Sequence, residues 1–242
     1  MKSSLPKKIS PAVLILGDAS LVSEYSEIAL RSNYEIIPPA KIKNLRSIAE
    51  EISIALELSN INVEEKKKNL LLLDKALPPT TAILSSSVTI TALEQSSWMA
   101  MKHRLIGIGA LPTLINNSVV EVAPSFHTIG STVDVTRKFF ISIQKDVAIV
   151  QDRVGMVLPR ILCQIINEAM FAVQQEVALP QDIDMAMKLG MNYPSGPIEW
   201  GEKIGFVQVC AVMEALHRDL GEERYRLCPL LKQLAVTGKF WR

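Results

Sequence analysis

The stretch IINEAMFAVQQEVALPQDIDMAMKLGMNYPSGPIEWGEKIG, residues 165–205, carries the clearest helical pattern in the chain. Apolar side chains recur there at three- and four-residue steps, which predicts one buried helix face; they are Ile161, Leu162, Ile165, Ile166, Ala169, Met170 and Val173. Pro180 suits the first turn of a short helix over 181–189, and Gly190 suits the position after its end. A second amphipathic helix is predicted from Phe206, Val209, Cys210, Met213, Leu216 and Leu220. The chain from residue 151 onwards is therefore predicted to be all-helical.

The composition is that of a globular protein and excludes several classes of partner. The 242 residues are 48% hydrophobic and 21% charged, and the net charge of +1 offers no field for nucleic acid or an anionic membrane. No apolar run approaches the ~18 residues of a membrane span. Cys163, Cys210 and Cys228 lack metal-ligand spacing, and we expect no metal site. An odd number of thiols without close pairs favours a reducing compartment, so we expect a cytoplasmic protein.

The N-terminal part opens with the pattern of a Rossmann fold. An apolar run over 12–17, AVLILG, predicts a buried parallel strand, and a helix over 20–31 and a strand over 35–37 follow. A dinucleotide-binding turn needs G-x-G-x-x-G, but the turn here, GDASLV over 17–22, keeps only Gly17. The acidic residue expected about 20 positions on is also absent, since 38–41 read PPAK. Gly17 is therefore either a remnant of a cofactor turn or an ordinary turn glycine.

A series of short motifs in the C-terminal half resembles the C-terminal domain of the 3-hydroxyacyl-CoA dehydrogenase family. The pieces are Asn167-Glu168-Ala169, Asp182-Ile183-Asp184, Ala186-Met187, Gly190, Pro194, Gly196-Pro197 and Ile204-Gly205. The resemblance implies an α/β Rossmann-like N-terminal domain over 1–150, here with a reduced parallel sheet, followed by an all-α domain over 151–242. The apolar helix faces exceed what a lone bundle of this size needs. They predict either a large core or, as in the family, a homodimer interface.

The resemblance extends into the N-terminal half and indicates a deletion there. Residues 63–87, VEEKKKNLLLLDKALPPTTAILSSS, resemble a helix, a proline turn, a strand and the family's S-N-T-S-S motif, and Glu57 aligns with the glutamate that ends the family's fourth strand. Forty positions separate Gly17 from Glu57, and one βαβ unit takes ~30 or more residues. We therefore expect the third strand and a crossover helix to be missing on the adenine side. The alternative is a complete domain with very short helices. The charged run Glu64 to Lys68 predicts a solvated helix face.

The positions that carry the family's chemistry are almost all replaced. Arg104 to Val122 resembles the stretch in which the family's histidine takes the hydroxyl proton while NAD accepts hydride. The histidine slot holds Gly109, the serine slot Val88, and the two asparagine slots Pro112 and Pro159. His103, His127 and His217 fall outside the histidine slot, and we expect them at the surface or satisfied in the core.

Glu121 alone keeps a catalytic position, as the glutamate that orients the histidine in the family. It is expected to pair with a structural cation, to be solvated, or to act as a weak remnant base. Gly17 and Ser85, the first serine of the S-N-T-S-S motif, are the candidate cofactor-binding residues. Losing a positioned base alone costs ~10²–10⁴ in rate.

The sequence thus predicts a family homologue whose dehydrogenase activity is lost or very weak, with poor binding of NAD. Two rivals stay open. The first is an active NAD-dependent 3-hydroxyacyl-CoA oxidoreductase. The second is a non-catalytic dimeric module that binds acyl-CoA or a protein partner.

Overall fold

A seven-stranded sheet organises the first part of the chain in the computed structural model, which describes residues 11–238. The strand order is β2-β1-β3-β4-β5-β6-β7, and every neighbouring pair is parallel except β5 and β6. The strands are β1 Ala12–Gly17, β2 Glu35–Ile36, β3 Ile52–Leu58, β4 Ala82–Ser86, β5 Leu105–Ile108, β6 Val119–Ala123 and β7 Asp146–Ile149. β1 reads as an unbroken apolar run and β4 is buried along its whole length, as parallel strands in such a sheet are.

Helices cover both faces of this sheet. They are α1 Ala19–Arg31, α2 Val63–Ala76, α3 Ala92–Ser97 and α4 Gly130–Ser142. Side chains of α1 and α4, among them Leu21 and Phe140, share a buried cluster with one face of the strands. Side chains of α2 and α3, among them Leu70 and Ala92, share another cluster with the opposite face. The arrangement is a doubly wound α/β layer, as the opening pattern of the sequence predicts.

The expected deletion lies between β2 and β3. In the full Rossmann order a further strand stands outside β2, whereas β2 is here the edge strand of the described sheet and only two residues long. The chain continues through a 3₁₀ stretch, Pro39–Ser47, and a second one, Ala49–Glu51, directly into β3. The prediction of a reduced sheet is confirmed, and the alternative of a complete sheet with short helices is wrong.

The rest of the chain is helical. It contains α5 Leu158–Gln174, α6 Pro180–Met191, α7 Pro197–Ile204, α8 Phe206–Leu220 and α9 Pro229–Thr237. The predicted end of α6 at Gly190 is wrong by two residues. Asn192 adopts the left-handed conformation (φ 56°) that closes the helix, which leaves Gly190 inside it. The buried Asp184 carboxylate accepts the Ile198 and Glu199 N–H groups and so caps α7.

The helical part and the sheet part share one apolar core. Val88 and Leu111, both fully buried, belong to the same cluster as Ile166, Val209 and Met213 of α5 and α8. The helical part therefore packs directly against the loops that follow β4 and β5. The predicted fold class, a Rossmann-like sheet followed by helices, is confirmed. The division into domains at residue 150 falls between β7 and α5 and stays a prediction.

The three cysteines are free thiols inside the helical core. Burial raises the pKa of all three, to about 12 for Cys210.

Within residues 11–238, no helix combines the length and apolar character needed to cross a membrane.

Candidate functional site

The candidate site is the crevice at the carboxyl ends of the parallel strands. In open α/β sheets ligands bind there, at the point where the strand order reverses. Here that point lies between β1 and β3, because β2 continues to one side of β1 and β3 lies on the other. The residues that follow β1, β3 and β5 therefore decide whether a cofactor can enter.

Gly17 ends β1 at a point where the neighbouring strand β3 approaches too closely for a side chain. Its φ is 129°, and a Cβ added there would lie 2.4 Å from the carbonyl carbon of Leu58 in β3. Ordinary side chains do not adopt this conformation, and the approach is to backbone that cannot swing away. The glycine is thus explained by strand packing alone, without a phosphate.

A hydrogen-bonded bridge closes the crevice at the reversal point. Gln208, in the first turn of α8 and 4% exposed, donates from Nε2 to Asp18 Oδ2 at 2.7 Å. Its Oε1 accepts from Asn60 Nδ2 at 3.0 Å. The backbone N–H of Asn60 also donates to Asp18 Oδ2, and Asn60 Nδ2 donates to the Ala110 carbonyl. We call these three side chains, Asp18, Asn60 and Gln208, the crevice bridge. It ties the ends of β1, β3 and β5 to the helical part.

Ser85, the second candidate cofactor residue, lies in a buried ionic cluster. Lys66 and Glu57 form an ion pair at 2.5 Å with side chains 1% and 0% exposed. Ser85 Oγ donates to Glu57 at 3.3 Å and accepts from Lys66 Nζ at 3.2 Å. Its hydroxyl is therefore engaged within the protein.

The expectation that residues 64–68 form a solvated face is wrong for Lys66. This side chain lies on the inner side of α2, where the buried Glu57 carboxylate and the Ser86 carbonyl compensate its charge. Lys67 and Lys68 are exposed, as predicted.

Glu121 caps a helix. Its Oε2 accepts the Val157 N–H at 2.9 Å and its Oε1 accepts the Leu158 N–H at 2.7 Å, both at the start of α5. A carboxylate suits this place because first-turn N–H groups have no partners within the helix and carry the positive end of its dipole. Both carboxylate oxygens thus accept backbone N–H groups, and the side chain is half-buried. Among the described residues, no histidine lines the cavity beside Glu121.

The histidine slot is closely packed around Gly109. A Cβ on Gly109 would lie 3.2 Å from Glu121 Cβ and 3.6 Å from Met156 Sδ. The cavity that Gly109, Glu121, Tyr25 and Pro159 line measures about 10 Å³. A single water needs ~10–15 Å³ by the same kind of measure. No thioester substrate fits this space.

A backbone hydrogen bond to a side chain of α1 fixes the loop that follows β5. The backbone N–H of Thr113, a residue with φ 73°, donates to both carboxylate oxygens of Glu24 on α1, at 3.1 and 2.9 Å. Burial raises the pKa of Glu24, and the hydrogen bond from Thr113 opposes this shift. The bond holds Pro112 and Leu111 in their buried positions.

The structure thus separates the predicted site residues. Gly17 and Ser85 lie at strand ends with structural partners, and Glu121 lies at the start of α5. His103 and His127 are half-buried and His217 is exposed, and the Gly109 cavity is lined by none of them. Among the described residues, no cluster of three or more His, Cys, Asp or Glu side chains could hold a metal ion.

Sequence reasoning missed the two residues that close the crevice from opposite sides. Gln208 stands on a helix face otherwise assigned to the core, and Asn60 lies in a short connection after β3. A polar residue at a core position of an amphipathic helix is a usable signal, because a buried amide needs partners. Gln208 and Asn60 are 148 positions apart in the chain, so the sequence does not show that they are partners.

Comparison with known proteins places the chain in a family. The model of the 3-hydroxyacyl-CoA dehydrogenase C-terminal domain matches residues 155–242. The chain is 30% identical over 193 residues to a 3-hydroxybutyryl-CoA dehydrogenase of Clostridioides difficile, a match that covers 80% of this chain and 69% of that protein. A Bacillus subtilis protein named "Probable 3-hydroxybutyryl-CoA dehydrogenase" is 33% identical over 190 residues, covering 78% of this chain and 66% of that protein.

Solved structures agree on the fold. FadB2 of M. tuberculosis superimposes with a TM-score of 0.82 at 17% identity, over 96% of this chain and 95% of that one. The (S)-3-hydroxybutyryl-CoA dehydrogenase PaaH1 of Ralstonia eutropha superimposes with a TM-score of 0.73 at 21% identity, over 95% of this chain and 94% of that one.

The sheet, the helical part and the sequence matches together define a member of the Rossmann-type dehydrogenases. Within them, the chain belongs to the 3-hydroxyacyl-CoA dehydrogenase family.

Proposed function

We propose that this chain is a member of the 3-hydroxyacyl-CoA dehydrogenase family that does not catalyse hydride transfer. The observation that carries the proposal is the crevice bridge. Gln208 joins Asp18 after β1 to Asn60 after β3, at the point of the sheet where a dinucleotide would bind. The protein keeps the fold of the family and uses its crevice for internal contacts.

The residues present do not fit NAD. Asp18 places a carboxylate beside the start of α1, where a Rossmann fold holds the pyrophosphate. A phosphate about 4 Å from this carboxylate would meet a repulsion of roughly 4 kcal/mol at an effective dielectric of 20. The reduced sheet also lacks the strand that lies outside β2 in the full fold. We therefore derive no step through this cofactor.

The residues now at the family's catalytic positions do not supply the acid–base chemistry of a dehydrogenase. Oxidising a hydroxyl needs a base poised near neutral pH, and imidazole is the usual group. Gly109 replaces it, and both oxygens of Glu121 accept backbone N–H groups. Val88 and Leu111 fill the region beside them with buried apolar side chains. The loss extends over several groups that act as a unit, so no single one compensates for the others.

We also propose that the molecule is a homodimer through the helical domain, residues 151–242. Large apolar side chains are exposed on and beside α6: Val177, Leu179, Met185, Leu189 and Met191 are 55–80% exposed. Obligate homodimers bury ~2,000 Å² or more of mostly apolar surface, and these exposed apolar side chains would form part of such an interface. Three free thiols inside the core support a reducing compartment, and we place the protein in the cytoplasm.

Light scattering tests the dimer. Leu189, 80% exposed on α6, changed to Glu should convert the dimer to a monomer, because a carboxylate would be buried in the interface. Phe126→Glu, at a site in the sheet part that is 90% exposed, is the control and should leave the mass unchanged. A wild type that is monomeric at micromolar concentration contradicts the proposal.

An NADH assay tests the missing activity. We expect no oxidation of NADH with acetoacetyl-CoA, and no formation of NADH with a 3-hydroxyacyl-CoA, even at micromolar protein. The C. difficile relative, a 3-hydroxybutyryl-CoA dehydrogenase, is the positive control under identical conditions. Turnover at ordinary enzyme rates, ~1–10³ s⁻¹, would establish the active rival instead.

A further inference from the structure

A surface groove lies where the shortened segment between β2 and β3 crosses α2. The groove has a volume of about 680 Å³, within the ~300–1,000 Å³ of most small-molecule sites. Its lining consists of four apolar residues, two cations and two uncharged polar residues: Ile42, Leu45, Leu72 and Ala76, Arg46 and Lys75, and Asn44 and Ser47. None of these residues takes part in the crevice bridge or in the Gly109 cavity.

The floor of the groove is built on the sheet core. Leu45 is 2% exposed and belongs to the cluster between the sheet and α2, while Leu72 and Ile42 pack against that cluster from outside. The 3₁₀ stretch Pro39–Ser47 is interrupted at Asn44 (φ −116°, ψ 33°). This segment replaces the strand and crossover of a full Rossmann fold and leaves an apolar surface only partly covered. The groove is thus a feature of this shortened chain.

Both charged residues among the described lining residues are cations. Arg46 and Lys75 are exposed, and none of the described lining residues is Asp or Glu. Within residues 11–238, neither cation forms an ion pair. Two uncompensated cations beside an apolar floor suit a ligand with an anionic head and a hydrocarbon body, because charge-assisted hydrogen bonds fix the head while the body is removed from water.

We propose that this groove binds an amphiphilic anion, a hydrocarbon chain that ends in a carboxylate or a phosphate monoester. Arg46 and Lys75 hold the head, and Leu72 and Ile42 contact the chain. The proposal is independent of whether the protein has dehydrogenase activity.

Displacement of a fluorescent probe tests the groove on the full chain. Anilinonaphthalene sulfonate, itself an apolar anion, is bound first and then displaced with octanoate, octyl phosphate or uncharged octanol. The double variant Arg46→Gln/Lys75→Gln should weaken displacement by octanoate or octyl phosphate about tenfold or more, since both head contacts are lost. The matched control is Arg137→Gln/Lys138→Gln, which removes one exposed Arg and one exposed Lys from α4.

The displacement results identify the head group or overturn the proposal. Tighter displacement by octanoate identifies a fatty-acid head, and tighter displacement by octyl phosphate identifies a phosphate head. Displacement by octanol at equal concentration, equal weakening in the control variant, or no displacement by any of the three overturns the proposal. Because all four substituted side chains are exposed, thermal melts of both variants should match the wild type.

Discussion

Replacing Glu121 by Ala should destabilise the fold, because its carboxylate caps α5. Two charge-assisted hydrogen bonds, to the N–H groups of Val157 at 2.9 Å and Leu158 at 2.7 Å, would be lost together. Loss of a helix cap costs ~0.5–2 kcal/mol, and hydrogen bonds to charged groups contribute ~1.5–3 kcal/mol. We expect a loss of about 2–3 kcal/mol in the free energy of unfolding. For a chain of this size that lowers Tm by roughly 4–12 °C.

Chemical and thermal denaturation measure this effect. Glu168→Ala is the matched control, because Glu168 is exposed on the same helix and does not cap a helix end. It should change the stability by no more than ~0.5 kcal/mol. A Glu121→Ala variant as stable as the wild type, within the same margin, would refute the capping role and reopen Glu121 as a residue kept for chemistry.

Three further outcomes follow from the structure. Gly109→His should give no NADH turnover and cost ~1–3 kcal/mol in a thermal melt, because its Cβ would lie only 3.2 Å from Glu121 Cβ and the adjoining cavity of about 10 Å³ cannot hold an imidazole; turnover at ordinary rates would contradict this. Stability should fall from about pH 8.5 towards about pH 12, because the folded state keeps the proton of Cys210 that the unfolded chain releases; Cys210→Ala should show a shallower fall in denaturation curves across this range, and an identical slope would contradict it. Gln208→Glu should destabilise the protein at pH 7 by placing a second carboxylate against Asp18, and the deficit relative to wild type should shrink near pH 4 as the introduced carboxyl group protonates; a deficit independent of pH would contradict it.

Much of the fold could be predicted from local pattern. The apolar run over 12–17 and the helical periodicity around Ile165 correspond to β1 and α5, because both signals depend only on residues close in sequence. The length between Gly17 and Glu57 predicted the missing strand by a simple limit on chain reach. The end of α6 was misplaced because Asn192, rather than glycine, adopts the left-handed conformation.

The roles within the site could be predicted only in part. The replacements at Gly109 and Val88 are visible in the sequence, but what replaces the lost functions is not. Lys66 was predicted to be solvated because it stands in a charged run, and its partner Glu57 lies on a different element. Glu121 meets backbone N–H groups 36 and 37 positions away. Contacts of this kind depend on how the helical part packs on the sheet, which no local pattern records.

The central claim is that the crevice is closed to the dinucleotide. Calorimetric titration of the wild-type protein with NADH tests it most directly, because binding is measured without any requirement for turnover. The closed crevice and the Asp18 carboxylate predict no saturable heat up to millimolar NADH, corresponding to binding weaker than about −4 kcal/mol. A single-site isotherm with a dissociation constant in the micromolar range or below would contradict the account and show that Gln208 withdraws to admit the cofactor.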